Sequence, residues 1–334
     1  MPSPSFPGSE ADFLAYDLFN GDADGICALH QLRMREPRDS QLLTGVKRDI
    51  ALFQKLPTGM PLNVTALDVS FDRNQAALRG VLGSGGKVSY FDHHAARTLF
   101  AHPQLQCQID EAPDVCTSLL VDRHLGGVFR HWTIVAAYGD NLPELADRMA
   151  AACGCAADDR LALAQLGRLL NYNAYGETLA DLHFHPADLY RSVQRFESPL
   201  DFIAQAVEYK CLVDGFEADQ RHLNELEPHA QTALAAAYVL PNANWARRLS
   251  GTLANQLSGL DGRKAVAVLT PGADGSYLVS VRIAAEVGAR ADTFCGRYPG
   301  GGGRHTAGGI EHLPASGLDP FIADFFSYLT GVPA

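Results

Sequence analysis

The chain has no apolar run near the ~20 residues that a membrane-spanning helix needs, so no membrane association is expected. Its opening stretch, MPSPSFPGSE, lacks the basic start and apolar centre of a secretory signal, and residues 1–11 read as a disordered tail. The 7 cysteines are scattered without a C-x-x-C pair, which argues against a disulfide framework and fits a reduced, cytoplasmic setting. Cys153-Gly154-Cys155 reads as small buried hydrophobes rather than a metal pair. Positive charge is also short, with 27 Lys and Arg against 38 Asp and Glu and a net charge of −11. A broad basic face for long duplex nucleic acid is therefore not expected, although a small anionic substrate held by metal ions is compatible with that balance.

What is present is an ordinary globular composition, 47% hydrophobic and 19% charged over 334 residues, long enough for two domains. Strand-like runs at 13–19, 42–46, 63–67 and 87–91 alternate with helical patterns at 25–32, 50–56 and 74–82, which predicts βαβ units and a parallel sheet. From Thr117 to about Glu225 the apolar spacing turns helical, and 202–226 reads as one connecting helix. A second α/β pattern follows, with strands at 236–240, 265–269 and 277–282 and helices at 245–257 and 320–329. The fold class expected is α/β, a parallel-sheet domain (12–200) and a smaller α/β domain (231–334) joined by a helical segment (201–230).

Carboxylates cluster where those strands end. Tyr90-Phe91-Asp92-His93-His94 closes one strand with an acid and two imidazoles, Asp22-Ala23-Asp24-Gly25 follows the first strand, and Asp68 closes another. In parallel α/β sheets ligands bind at that edge. Carboxylates gathered so closely would take up protons unless cations offset them, and mixed carboxylate and imidazole donors suit manganese better than calcium. Two such ions would lower the pKa of a bridging water and clamp a phosphoryl group, so metal-assisted phosphate-ester hydrolysis is the chemistry expected. Asp22 and Asp24 alone would read equally well as helix caps; their company favours ligands.

Later in the chain, Gly301, Gly302 and Gly303 precede Arg304 and His305. Successive glycines let backbone N–H groups approach an anion, and Arg282 on the preceding strand with Arg304 and His305 suggests a phosphate cradle. The stretch 171–176, Asn-Tyr-Asn-Ala-Tyr-Gly, reads as helix-end core rather than as a base-stacking surface.

The order Asp22-Ala23-Asp24-Gly25, Asp68, Asp92-His93-His94 and Gly139-Asp140-Asn141 resembles the four motifs of the DHH phosphoesterases. Ser280-Val281-Arg282 with the glycine run is similar to the DHH-associated substrate domain of RecJ-type exonucleases and nanoRNases. The resemblance implies Asp22, Asp24, Asp68, His93 and Asp140 as metal ligands, His94 facing the scissile phosphate and Asp92 orienting an imidazole. It implies manganese, as one or two ions, with magnesium as the alternative. Phosphatase-type members carry a histidine four residues before the first motif aspartate; Leu18 stands there in this chain, implying fewer ligands for the first ion. The expected activity is hydrolysis of short oligonucleotides or small nucleotide phosphates by a metal-activated water, with homodimerisation left open. A RecJ-like exonuclease on longer single strands and a non-hydrolytic nucleotide-sensing module are the alternatives.

Overall fold

β1 (Leu14–Phe19), β2 (Gln41–Leu43), β3 (Leu62–Leu67), β4 (Lys87–Asp92) and β5 (Leu105–Ile109) form a wholly parallel sheet in the order β2-β1-β3-β4-β5. The structure, a computed structural model, describes residues 13–258 and 263–331; the tail expected at 1–11 lies outside them. The inner strands are near-continuous apolar runs because both of their faces are covered. On one side Tyr16, Leu18, Val64, Ala66, Val88 and Tyr90 pack with Phe71 and Leu78 of α2 (Phe71–Gly83) and with Leu52 and Phe53. On the other lies α1 (Ala23–Arg35), with α3 (Thr117–His124) and α4 (Arg130–Gly139) against it, and α5 (Pro143–Ala152) and α6 (Ala157–Ala174) against α4.

Three expectations shift. The segment expected as a helix at 50–56 is a single 3-10 turn, Leu52–Lys55. The strand expected at 42–46 ends at Leu43, and residues 44–48 form the loop that carries Lys47. β5 was not expected; its residues are mostly exposed, and an edge strand lacks the apolar signature of its neighbours.

After α7 (Pro186–Val193) comes the stretch expected as one helix at 202–226. It is two, α8 (Pro199–Gln205) and α9 (Val207–Arg221), broken where Ala206 takes an extended backbone with ψ 125°. Apolar spacing at three and four residues survives such a break, so periodicity alone did not reveal it.

The chain divides into two compact units with boundaries after Ala174, His183 and Leu212; Tyr175–His183 groups with the later residues and Phe184–Leu212 with the earlier ones. The second unit is built on a mixed sheet in the order β10-β11-β9-β8-β7-β6. Its strands are β6 (Ala230–Gln231), β7 (Ala235–Val239), β8 (Ala265–Pro271), β9 (Tyr277–Ile283), β10 (Gly301–Arg304) and β11 (Ala307–Leu313). Alternation places Ala236, Tyr238, Val266 and Val268 under α10 (Asn244–Leu257). The opposite face, with Val279, Val281 and Ile283, is covered by Phe294 of α11 (Ala291–Cys295) and Phe321 and Phe325 of α12 (Leu318–Thr330).

Buried polar groups in the first unit are paired closely. Asp17, wholly buried in β1, accepts from Arg33 at 2.6 and 2.7 Å and from Arg38 and Ser40. Burial alone would raise its pKa, but the Arg33 guanidinium outweighs it and holds the carboxyl below its usual range. His30 on α1 shares a hydrogen bond with the Phe196 carbonyl at 2.8 Å and meets the Trp132 ring edge-on, and burial lowers its pKa from 6.5 to about 4. The folded state therefore keeps this ring neutral where the unfolded chain takes up a proton, so stability is lost as pH falls from 6.5 toward 4. That difference contributes about 2 kcal/mol of destabilisation between pH 7 and pH 5. His30→Gln is expected to reduce the pH 7 to pH 5 drop in urea midpoint relative to the unaltered chain; an equal drop in both would refute this assignment.

Candidate metal centre

The strand order reverses between β1 and β3, so the loops leaving their carboxyl ends diverge and open a crevice there. Asp22 leaves β1, Asp68 leaves β3, and Asp92 with His93 and His94 leaves the adjacent β4. Each is set by a local device. Asp22 caps α1, its Oδ1 accepting from the amides of Asp24 and Gly25 at 3.1 Å. The turn needs glycine at position 25, where a Cβ would lie 2.1 Å from the Asn20 carbonyl oxygen. Asp68 takes a left-handed backbone, φ 60°, which an aspartate tolerates better than a branched residue would.

Asp24 points into the protein and caps a different helix. Its two oxygens accept from the amides of Thr117 and Ser118 at 2.7 Å, and the Ser118 hydroxyl donates back to its carbonyl at 2.9 Å. Thr117 also donates to Asp68 at 3.1 Å, so the first turn of α3 ties two of the carboxylates together. Asp140 arrives from α4. A Cβ on Gly139 would lie 2.3 Å from the Ala23 Cβ and 2.8 Å from the Gly167 carbonyl, so only glycine lets α1, α4 and α6 approach closely enough to place Asp140 beside the strand ends.

Among the described residues, two groups of ligand atoms lie within 4.8 Å of one another: Asp68, His93 and His94, and Asp24, His93 and Asp140. His93 belongs to both. Its Nδ1 donates to the Val115 carbonyl at 2.9 Å, which leaves the lone pair on Nε2, 3.4 Å from Asp68 and 3.6 Å from Asp140. His94 Nδ1 bonds to Asp92 at 2.7 Å, leaving Nε2 for another partner. Asp92 is wholly buried, and its second oxygen has no hydrogen-bond partner among the described residues. Asp22 belongs to neither group, and its Oδ2 is salt-bridged to Lys47.

The charges are unbalanced in the way a cation would correct. Burial and the charges of Asp22 and Asp24 push the Asp68 carboxyl well above its usual range. Burial, Asp24 and Asp22 likewise raise Asp140 to about 6. Burial disfavours a charged His93, yet its hydrogen bond to Asp68 and the surrounding carboxylates raise it to about 10; burial is similarly outweighed at His94, which rises to about 9 through Asp92 and Asp68. Hard carboxylate oxygens with borderline imidazole nitrogens fit manganese or magnesium.

No family profile and no curated protein matches the sequence. Solved structures do. The DHH domain of a member of a family of ribosomal proteins superposes with a TM-score of 0.60 at 13% identity, covering 96% of this chain and 88% of that one. A pGpG-specific phosphodiesterase from Vibrio cholerae gives 0.57 at 14% identity, covering 95% and 99%. RecJ from Thermus thermophilus, in complex with Mn2+, gives 0.54 at 15% identity over 96% of this chain and 52% of its own length. The fold is that of the DHH phosphoesterases.

The DHH fold brings Asp22, Asp24, Asp68, Asp92, His93, His94 and Asp140 to one edge of the first unit. Arg282, Gly301, Gly302, Gly303, Arg304 and His305 lie in the second. There the glycines are not an open anion-binding loop: they form β10, paired with β11 across a turn at His305-Thr306. Gly303 is held against β11, a Cβ there lying 2.3 Å from the Ala307 carbonyl, whereas Gly302 faces open space. Arg304 and Arg282 flank Ala307 in one register row, on the face that also carries α10. Arg304 and His305 are exposed, while Arg282 is half-buried and donates to Asn255 at 2.6 Å and to the Val281 carbonyl at 2.9 Å.

Sequence reasoning missed Lys47, Thr117 and Ser118. No motif marks them, and their only signal is position, in the loop after a strand and at the start of a helix. Asn171, from the stretch read as helix-end core, accepts from Lys47 at 3.1 Å.

Because His93 serves both donor groups, His93→Ala is expected to weaken Mn2+ binding about tenfold or more, while His94→Ala weakens it less, as read by calorimetry. Equal losses would remove the distinction between the two rings. Asp24→Ala is expected to lower metal-free stability by about 1–2 kcal/mol through the lost cap of α3, measurable by urea unfolding in chelator.

Proposed function

We propose that this chain is a metal-dependent phosphoesterase acting on short oligonucleotides or small nucleotide phosphates, with Mn2+ as the ion and Mg2+ as a substitute. The observation that carries the reading is that two triads of ligand atoms, Asp68-His93-His94 and Asp24-His93-Asp140, share His93 beside the carboxyl ends of parallel strands. The likeness in fold to a pGpG-specific phosphodiesterase and to a Mn2+-bound RecJ supports the same class.

A divalent ion in this site would supply Lewis acidity toward a phosphoryl oxygen and lower the pKa of a water. The protein's own groups do the rest. Asp24, Asp68, His93 and Asp140 hold the ion, and Asp68, 3.4 Å from His93 and 3.9 Å from His94, is the carboxylate within reach of both rings. Asp92 fixes His94 through Nδ1, so that Nε2 can donate a proton to a charged phosphate oxygen. In the second unit the exposed Arg304 and His305 offer donors suited to a phosphate, with the open surface at Gly302 allowing close approach.

Small substrates are favoured over long strands because the net charge of −11 leaves little basic surface to follow a polynucleotide backbone. Product analysis with Mn2+ on dinucleotides, cyclic dinucleotides, 3'-phosphoadenosine 5'-phosphate and a longer single strand tests this. Turnover of the small substrates, lost in Asp68→Ala and His93→Ala, is expected. Nucleotide binding without turnover by the unaltered chain would instead favour the sensing alternative, and strongly salt-dependent degradation of the long strand would favour the RecJ-like one. Arg304→Ala is expected to raise KM about tenfold with little change in kcat, the pattern of a lost ground-state contact.

A further inference from the structure

Lys47 is a feature of the crevice that the metal-dependent reading does not use. It is not loosely placed. Its amide donates to the Ala174 carbonyl at 2.9 Å, at the end of α6, and its carbonyl accepts from the Asn20 side chain at 3.4 Å. From that anchored backbone the ammonium reaches Asp22 Oδ2, lies 3.1 Å from Asn171 Oδ1 and 3.9 Å from Asp140 Oδ1. Three oxygens from three separate elements thus surround one positive charge.

The consequence falls on Asp22. Its Oδ1 is taken by the amides of Asp24 and Gly25 and its Oδ2 by Lys47, and it is absent from both groups of clustered donors. Those two groups share His93, whose Nδ1 is committed to Val115. A single lone pair on Nε2 binds one ion, and Asp68 and Asp140 lie 3.4 and 3.6 Å from it, so the two groups are overlapping parts of one His93-centred set and cannot each hold an ion of their own.

We propose that this site takes one divalent cation per chain, centred on His93 Nε2 with Asp68, Asp24 and Asp140, and that the Lys47 ammonium is the resident second positive charge, held on Asp22. The idea rests on the metal-dependent reading above. Lys47 is a positioning residue: it neutralises Asp22, orients Asn171 and prevents a second ion from using the Asp22 carboxylate. A lysine ammonium needs no ion from solution, and here it sits on Asp22 with Asn171 and Asp140 beside it.

Equilibrium dialysis of the full chain against Mn2+, with metal analysis, counts the ions directly and needs no substrate. One Mn2+ per chain is expected for the unaltered protein and two for Lys47→Met, in which Asp22 is released as a ligand. Asp22→Asn is expected to retain one, and it serves as the second variant if Lys47→Met does not fold. Two ions in the unaltered protein would overturn the role given to Lys47 and leave the metal reading standing. One ion in folded Lys47→Met, or none in Asp22→Asn, would overturn it as well. No bound Mn2+ in the unaltered protein would overturn this proposal and the metal-dependent reading together.

Discussion

Electrostatic repulsion among buried carboxylates is the constraint on which the first unit depends. Asp22, Asp24 and Asp68 are each almost fully buried, with Asp140 half-buried beside them. Carboxylates so close cannot all stay ionised in a poorly hydrated crevice without compensating charge. The structure supplies that compensation from several directions: the first amides of α1 at Asp22, the first amides of α3 at Asp24, the Lys47 ammonium, and the His93 and His94 rings, whose pKa values Asp68 and Asp92 raise. A divalent cation entering between His93 and the carboxylates would displace protons rather than protein groups.

Holding such a cluster together demands close backbone approach, and the glycines record where that happens. Gly25 lets the first loop turn back over Asn20, and Gly139 lets α4 end against α1. The helices around them are anchored by ordinary apolar burial, with Trp132 and Leu170 wholly out of solvent. The apolar core thus fixes where the acids stand. In the second unit the same principle works differently: paired glycine-rich strands leave a low surface from which Arg304 rises, an arrangement that a chain of larger side chains could not form.

Much of this was legible in the sequence. The alternation of strands and helices, the parallel first sheet and the acid-bearing strand ends follow from short-range pattern, because a buried parallel strand must be apolar along its length and must stop where polar groups begin. Less legible were the places where a local pattern permits two outcomes. The break at Ala206 preserves helical spacing, the glycine run fits a loop as readily as an edge strand, and β5 alternates over only five residues without the continuous apolar run of its neighbours. Lys47 could not be found at all, since its partners Asp22, Asn171 and Asp140 lie 25 or more positions away in the chain.

By itself, the sequence determined which residue types reach the crevice: acids at the ends of β1, β3 and β4, a pair of histidines, and a glycine before Asp140. It could do so because strand ends and turns are governed by neighbouring residues. Only the tertiary structure decided how those groups share their work, since that depends on which lone pairs remain after distant partners are satisfied. Val115 takes one nitrogen of His93, Asp92 takes one of His94, and Lys47 takes the free oxygen of Asp22. Those three bonds turn a set of equivalent candidates into a site with distinct roles.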